Sequence, residues 1–203
     1  MGLQNLIYCL WHILANVLIY LDRFIINPIL GATFVSIFTV SSFYGKCFGP
    51  FIAPTSAVIL SYLSKNGTEI SLKRYKYMFI ITLVPIVILC LAGLIIAPFL
   101  TGLLYPTLIN DAEPYIFLAS TGVLVGSATN LIMPMIMSVC SMKDLFTLQS
   151  VQFGVYILFA YIGSTINGLR GFCYAVLLVN FIKVAMNYCL GLYRVKKVRN
   201  DKI

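Results

Sequence analysis

Two lysines define the chemistry this sequence could do. Lys46 stands near the centre of a long apolar run that opens at Leu30-Gly31, and Lys183 stands deep in the last apolar run. A charge at membrane depth costs about 2.5–3.5 kcal/mol on insertion-based scales, so it faces a protein interior or a water-filled cavity. At helical spacing Thr39, Ser42, Lys46, Gly49, Ala53 and Ser56 form a small, polar face, with Phe38, Tyr44, Phe48, Phe51 and Val58 opposite. Cys173, Val176, Asn180, Lys183, Asn187 and Arg194 share a second face of this kind. Lys183 lies ~15 Å of helix from the end of its run, too deep to snorkel comfortably. Arg23 follows Asp22 at the end of the first apolar run. Lys46, Lys183 and Arg23 are therefore candidate cavity cations.

A second row of polar side chains, Asn5, Tyr8, His12, Asn16 and Tyr20, recurs at three- and four-residue spacing and leads on to Arg23. His12 and Asn16 join Ser42, Asn180 and Asn187 as candidate cavity-lining residues. His12, the single histidine, could carry a proton, although an interhelical hydrogen bond is the simpler role. Enzyme chemistry needs an acid, base or nucleophile in a positioned group. Asp22, Asp111, Glu113 and Asp144 are all expected near loops, and His12 has no carboxylate nearby in sequence. The chain is thus expected not to be an enzyme, with an intramembrane glycan polymerase or acyltransferase as the rival of that class. No carboxylate is expected at membrane depth, which leaves energy coupling unassigned. Cys9, Cys47, Cys90, Cys140, Cys173 and Cys189 lie in or beside apolar runs without a C-x-x-C pair. They suggest neither a disulfide framework nor a metal site, and no cofactor is implied.

The elements that must position these residues are membrane helices. Of 203 residues 61% are hydrophobic and 10% charged, far below the ~25% charge of globular domains. The net charge of +8 does not point to nucleic acid, because most basic residues cluster beside apolar spans. Six spans are expected, at about 3–20, 31–63, 77–100, 115–139, 145–162 and 171–192, with a basic tail over 193–203. The first is read as a span and not a signal peptide. Asp22-Arg23 ends it and Asn27-Pro28 makes a turn. The second is longer than a bilayer needs, and Gly45, Gly49 and Pro50 are candidate hinge residues within it. Gly122 and Gly126 are spaced for close helix packing inside the bundle. Lys65, Lys73, Arg74, Lys76, Lys143, Arg194, Lys196, Lys197, Arg199 and Lys202 fall on one side of such a bundle, and Arg23 and Arg170 on the other. The positive-inside rule then places both termini in the cytoplasm. Asn66-Gly67-Thr68 matches the glycosylation sequon but lies in a loop expected on that same side.

The order of these parts resembles the polysaccharide (O-antigen-type) flippases of the multidrug/oligosaccharidyl-lipid/polysaccharide exporter superfamily, over their C-terminal half. The opening Asp22-Arg23, short loop, Leu30-Gly31 and long helix carry the likeness. So do Leu104-Tyr105 before a loop containing Ala112, and Asn167-Gly168 to Gly171 leading into Phe172-Cys173-Tyr174-Ala175. The resemblance implies an all-α polytopic fold in which six transmembrane helices form one lobe of a two-lobe transporter. It implies a multi-pass protein of the inner (cytoplasmic) membrane, in contact with membrane lipid. It also implies flipping of lipid-linked oligosaccharide or polysaccharide units, carried on undecaprenyl pyrophosphate, by alternating access during lipopolysaccharide O-antigen or related biosynthesis. Six spans supply one lobe, so a second six-helix lobe or subunit is the expected partner. A truncated, inactive or structural membrane subunit is the alternative. A drug exporter of the same superfamily would more naturally line its cavity with acids than with lysines.

Overall fold

The structure, a computed structural model, describes residues 2–65 and 71–200, and every element within them is an α-helix. In chain order these are α1 Gly2–Leu30, α2 Ala32–Ser41, α3 Phe43–Cys47, α4 Gly49–Lys65, α5 Leu72–Leu104, α6 Ile109–Met137 and α7 Met142–Asn200. The sequon at residues 66–68 lies outside the described residues. Among the described residues, three helical stretches are long and apolar enough to cross a membrane: Leu72–Leu104, Ile109–Met137 and Met142–Lys197. They mark a membrane protein.

The first helix runs past the span expected at 3–20. Neither Asp22-Arg23 nor Asn27-Pro28 ends it, since α1 runs on to Leu30 with Pro28 inside. A proline removes one intrahelical hydrogen bond, and it bends a helix more readily than it stops one that neighbours hold. The stop comes at Gly31, where φ is 96° and ψ 167°. That backbone suits glycine alone, and the Gly31 N–H still reaches the Asn27 carbonyl at 3.0 Å.

The run expected as one bent span over 31–63 is three helices in succession, α2, α3 and α4. Single residues divide them: Ser42 (φ −90°, ψ 0°) and Phe48 (φ −86°, ψ −12°). Gly49 and Pro50 occupy the first positions of α4, where a missing N–H costs little. Gly45 has a different task. A Cβ there would stand 2.7 Å from the Ser120 carbonyl, so the glycine lets α3 lie directly on α6.

Several loops are shorter than expected because polar residues begin helices. Lys73, Arg74 and Lys76 belong to α5, whose start is capped by Ser71 Oγ accepting from the Arg74 N–H at 3.2 Å. Only Tyr105–Leu108 separates α5 from α6, in place of the connection expected over 101–114. At the start of α7, Ser141 and Asp144 form a reciprocal cap.

The expected loop over 163–170 contracts to Asn167 (φ −127°, ψ 23°) and Gly168 (φ 57°, ψ −139°). There α7 folds back into two arms, residues 142–166 and 169–200. Contacts run along the hairpin from the Gly163–Gly171 backbone approach, through a Gln152–Asn187 hydrogen bond, to the Asp144–Arg194 ion pair. Spans expected at 145–162 and 171–192 fall within these two arms.

Helix α6 is the centre of the bundle, lying against α2, α3, α4, α5 and α7, while α1 packs on α2 and α7. Gly122 and Gly126 face the second arm of α7. A Cβ on Gly122 would be 3.4 Å from Val176, and one on Gly126 would be 2.9 Å from the Asn180 side chain. Hydroxyls stitch α2 to α6: Ser41 Oγ donates to the Ala112 carbonyl at 3.2 Å, and Ser120 Oγ to the Ser41 carbonyl at 2.8 Å. The outside of α5 is apolar, with Ile80, Ile81, Val87, Leu91, Ile95 and Phe99 exposed. Asp22, Ser41, Ser120, Gln152, Asn180 and Asn187 are buried. Apolar outside and polar inside is the arrangement that lipid, not water, makes stable.

Candidate functional site

Of the buried polar side chains, Asp22, Gln149, Gln152, Asn180 and Asn187 line one cavity of about 620 Å³. Trp11 and Asp22 of α1, Phe38 of α2, and Gly45 and Lys46 of α3 form one wall, with Gly49 beside them. Helix α6 contributes Gly126, Ser127, Thr129 and Asn130, among others. The far wall is the α7 hairpin, with Gln149, Gln152 and Tyr156 from one arm and Val176, Asn180, Lys183 and Asn187 from the other. The breaks at Ser42 and Phe48 isolate α3 as a short helix that carries Lys46 to this wall.

Lys46 Nζ lies 3.5 Å from Asp22 Oδ2 and 5.4 Å from the centroid of the Phe38 ring. Asp22 is nearly sealed, with 9% of its side chain exposed, whereas 37% of the Lys46 side chain is open. The expectation that no carboxylate accompanies the membrane-depth cations is therefore overturned. It rested on ending α1 at Asp22, and the helix continues two turns further. Asp22 also accepts the Arg23 N–H through Oδ1 at 2.8 Å.

Lys183 is held differently. Its ammonium stands 4.8 Å over the centre of the Tyr156 ring, and no carboxylate faces it among the described residues. Around it the carboxamides are partly engaged. Asn180 Nδ2 donates to the Gly122 carbonyl at 2.8 Å, and Gln152 Nε2 donates to Asn187 Oδ1 at 3.3 Å. Asn187 Nδ2 is buried without a hydrogen-bond partner among the described residues.

Of the residues singled out from sequence, Lys46, Lys183, Asn180, Asn187, Gly45 and Gly49 line this one cavity. Ser42 does not. It is buried at the α2–α3 break, with Oγ donating to the Thr39 carbonyl at 3.3 Å. Arg23 is exposed and lies 5.8 Å from the Tyr20 ring centroid, away from the cavity wall. Pro50 is exposed at the start of α4. The side chains of His12 and Asn16 lie outside the described residues.

Asp22, Gln149, Gln152 and Tyr156 were missed as lining residues, and the sequence did carry signals for them. Asp22 follows Trp11 by three helical turns, which puts both on one face of a continuous α1. Gln149, Gln152 and Tyr156 repeat the i, i+3, i+7 spacing of Asn180, Lys183 and Asn187. The arrangement can hold one polar, acceptor-rich ligand against an ammonium and several amides, inside a shell with an apolar exterior. Comparison with protein-family models, with curated proteins and with solved structures finds no match for this chain.

Proposed function

We propose that this chain is one lobe of a transporter in the cytoplasmic membrane that moves lipid-linked oligosaccharide or polysaccharide units between leaflets by alternating access. The observation that supports it best is the cavity of about 620 Å³, which presents Lys46, Lys183 and several amides inside a bundle whose exterior is apolar. A lipid-linked glycan has the matching halves, a hydroxyl-rich anionic head and a hydrocarbon tail. The segmented α2–α3–α4 wall offers places where helices can rearrange around a bound head. On this reading a second helical lobe completes the pathway, both termini are cytoplasmic, and the chain performs no covalent chemistry.

The test is export. The chain is expressed in a bacterium lacking its polysaccharide flippase, alone and together with a separately encoded second lobe. Surface polysaccharide should return with the pair and not with the single chain. Failure of every pairing, with the chain present and folded in membranes, would overturn the transport reading.

A further inference from the structure

We propose that the seam between the two arms of α7 is a binding subsite for an acidic sugar unit, a uronate-type carboxylate flanked by hydroxyls, with Lys183 meeting the charge. The proposal rests on the glycan-transport reading and specifies what the glycan carries. Gln149, Gln152 and Tyr156 on one arm face Asn180, Lys183 and Asn187 on the other, and all six line the cavity. Among the described residues the Lys183 ammonium meets the Tyr156 ring and no carboxylate. Asn187, fully buried, leaves Nδ2 without an acceptor among the described residues. Gln149, 8% exposed, stands beside them. Buried groups left unpaired cost roughly 1–3 kcal/mol each, more when charged. Among the described residues the seam therefore lacks acceptors: an anionic oxygen for Lys183 and a hydroxyl oxygen for the amide of Asn187.

Charge chooses among acceptor-rich ligands. Lys46 is matched by Asp22, so Lys183 is the one uncompensated charge among the described lining residues. A carboxylate balances it. A pyrophosphate would carry surplus negative charge into a low-dielectric site, and a neutral sugar would leave the ammonium unmatched. Among the described residues no arginine fork of the kind that clamps phosphates lines the cavity: Arg23 is exposed outside the lining, and Arg194 pairs with Asp144 at the end of the hairpin. The pyrophosphate of a lipid-linked substrate is accordingly held outside this seam.

The experiment is equilibrium binding of radiolabelled D-glucuronate to the full chain in lipid nanodiscs, with unlabelled D-glucose and inorganic pyrophosphate as competitors. Glucuronate should displace the label at least about tenfold better than either competitor, the equivalent of ~1.4 kcal/mol. Lys183→Gln should weaken glucuronate by about tenfold or more, while Lys183→Arg retains the preference. Lys143→Gln, exposed and remote, serves as the control. Three results overturn the proposal: no saturable glucuronate binding, pyrophosphate competing as well as glucuronate, or a folded Lys183→Gln chain with wild-type affinity. Should Lys183→Gln not fold, the ranking of the three ligands on the unmodified chain still decides. A win for pyrophosphate would leave the transport reading intact, because export measures that separately.

Discussion

Lys46 and Asp22 show how one contact changes the meaning of a residue. A lone ammonium in an apolar run reads as a substrate contact, but an ammonium 3.5 Å from a sealed carboxylate is half of a structural pair. Lys46→Gln strands Asp22 and should destabilise the chain by about 1–3 kcal/mol, the lower end applying because Lys46 is partly open. Asp22→Asn should do the same by stranding Lys46. Joining the two substitutions removes both charges and should recover at least about 1 kcal/mol of the summed loss. Thermal unfolding of the four proteins in detergent measures that coupling, and strict additivity would mean the pair contributes nothing. The pair was hidden in the sequence because its members are 24 residues apart on different helices, and only the course of α1 past Asp22 brings them together. Lys183, Asn180 and Asn187 were legible because three residues on one helical face need no tertiary knowledge to align.

At the scale of elements, the α7 hairpin depends on missing side chains. Gly163 and Gly171 meet backbone to backbone just before and after the turn, so a methyl group on either would push the arms apart. Gly171→Ala should cost about 1–3 kcal/mol as an overpacking substitution, and Gly163→Ala a similar amount. Gly154 on the same hairpin has open space where its Cβ would be, so Gly154→Ala is expected to leave the melting temperature unchanged or slightly raised. Melting of the three variants in one detergent separates tight packing from helix propensity. If Gly171→Ala melts with the wild type, the arms are not held by this approach. The glycine-rich stretch was readable as a break between two apolar runs. Its extent was not, because Ser164 and Thr165 bond back to carbonyls of their own helix and Asn167-Gly168 suffices for the turn. The converse error occurred at Asn27-Pro28, where turn-forming residues lie inside a helix that α2 and α7 hold in place.

For the whole molecule, the ends of the helices sort by charge. Lys73, Arg74 and Lys76 begin α5, Lys143 begins α7, and Lys196 and Lys197 close it, whereas the α5–α6 connection and the turn of the hairpin are poor in basic residues. Single cysteines at Ser71 and Lys197, in a background without the native six, should resist an impermeant thiol reagent on intact cells. Cysteines at Thr107 and Thr165 should react. Labelling at Ser71 with protection at Thr107 would invert the orientation.

The polar seam of α7 also bears on how the chain is made. Each arm taken singly would present a row of amides, and the second arm an ammonium as well, to hydrocarbon that offers no partners. Only as a pair do Gln152 and Asn187 meet. Releasing the first arm alone would leave its amides facing hydrocarbon, so the two arms are expected to enter the bilayer together.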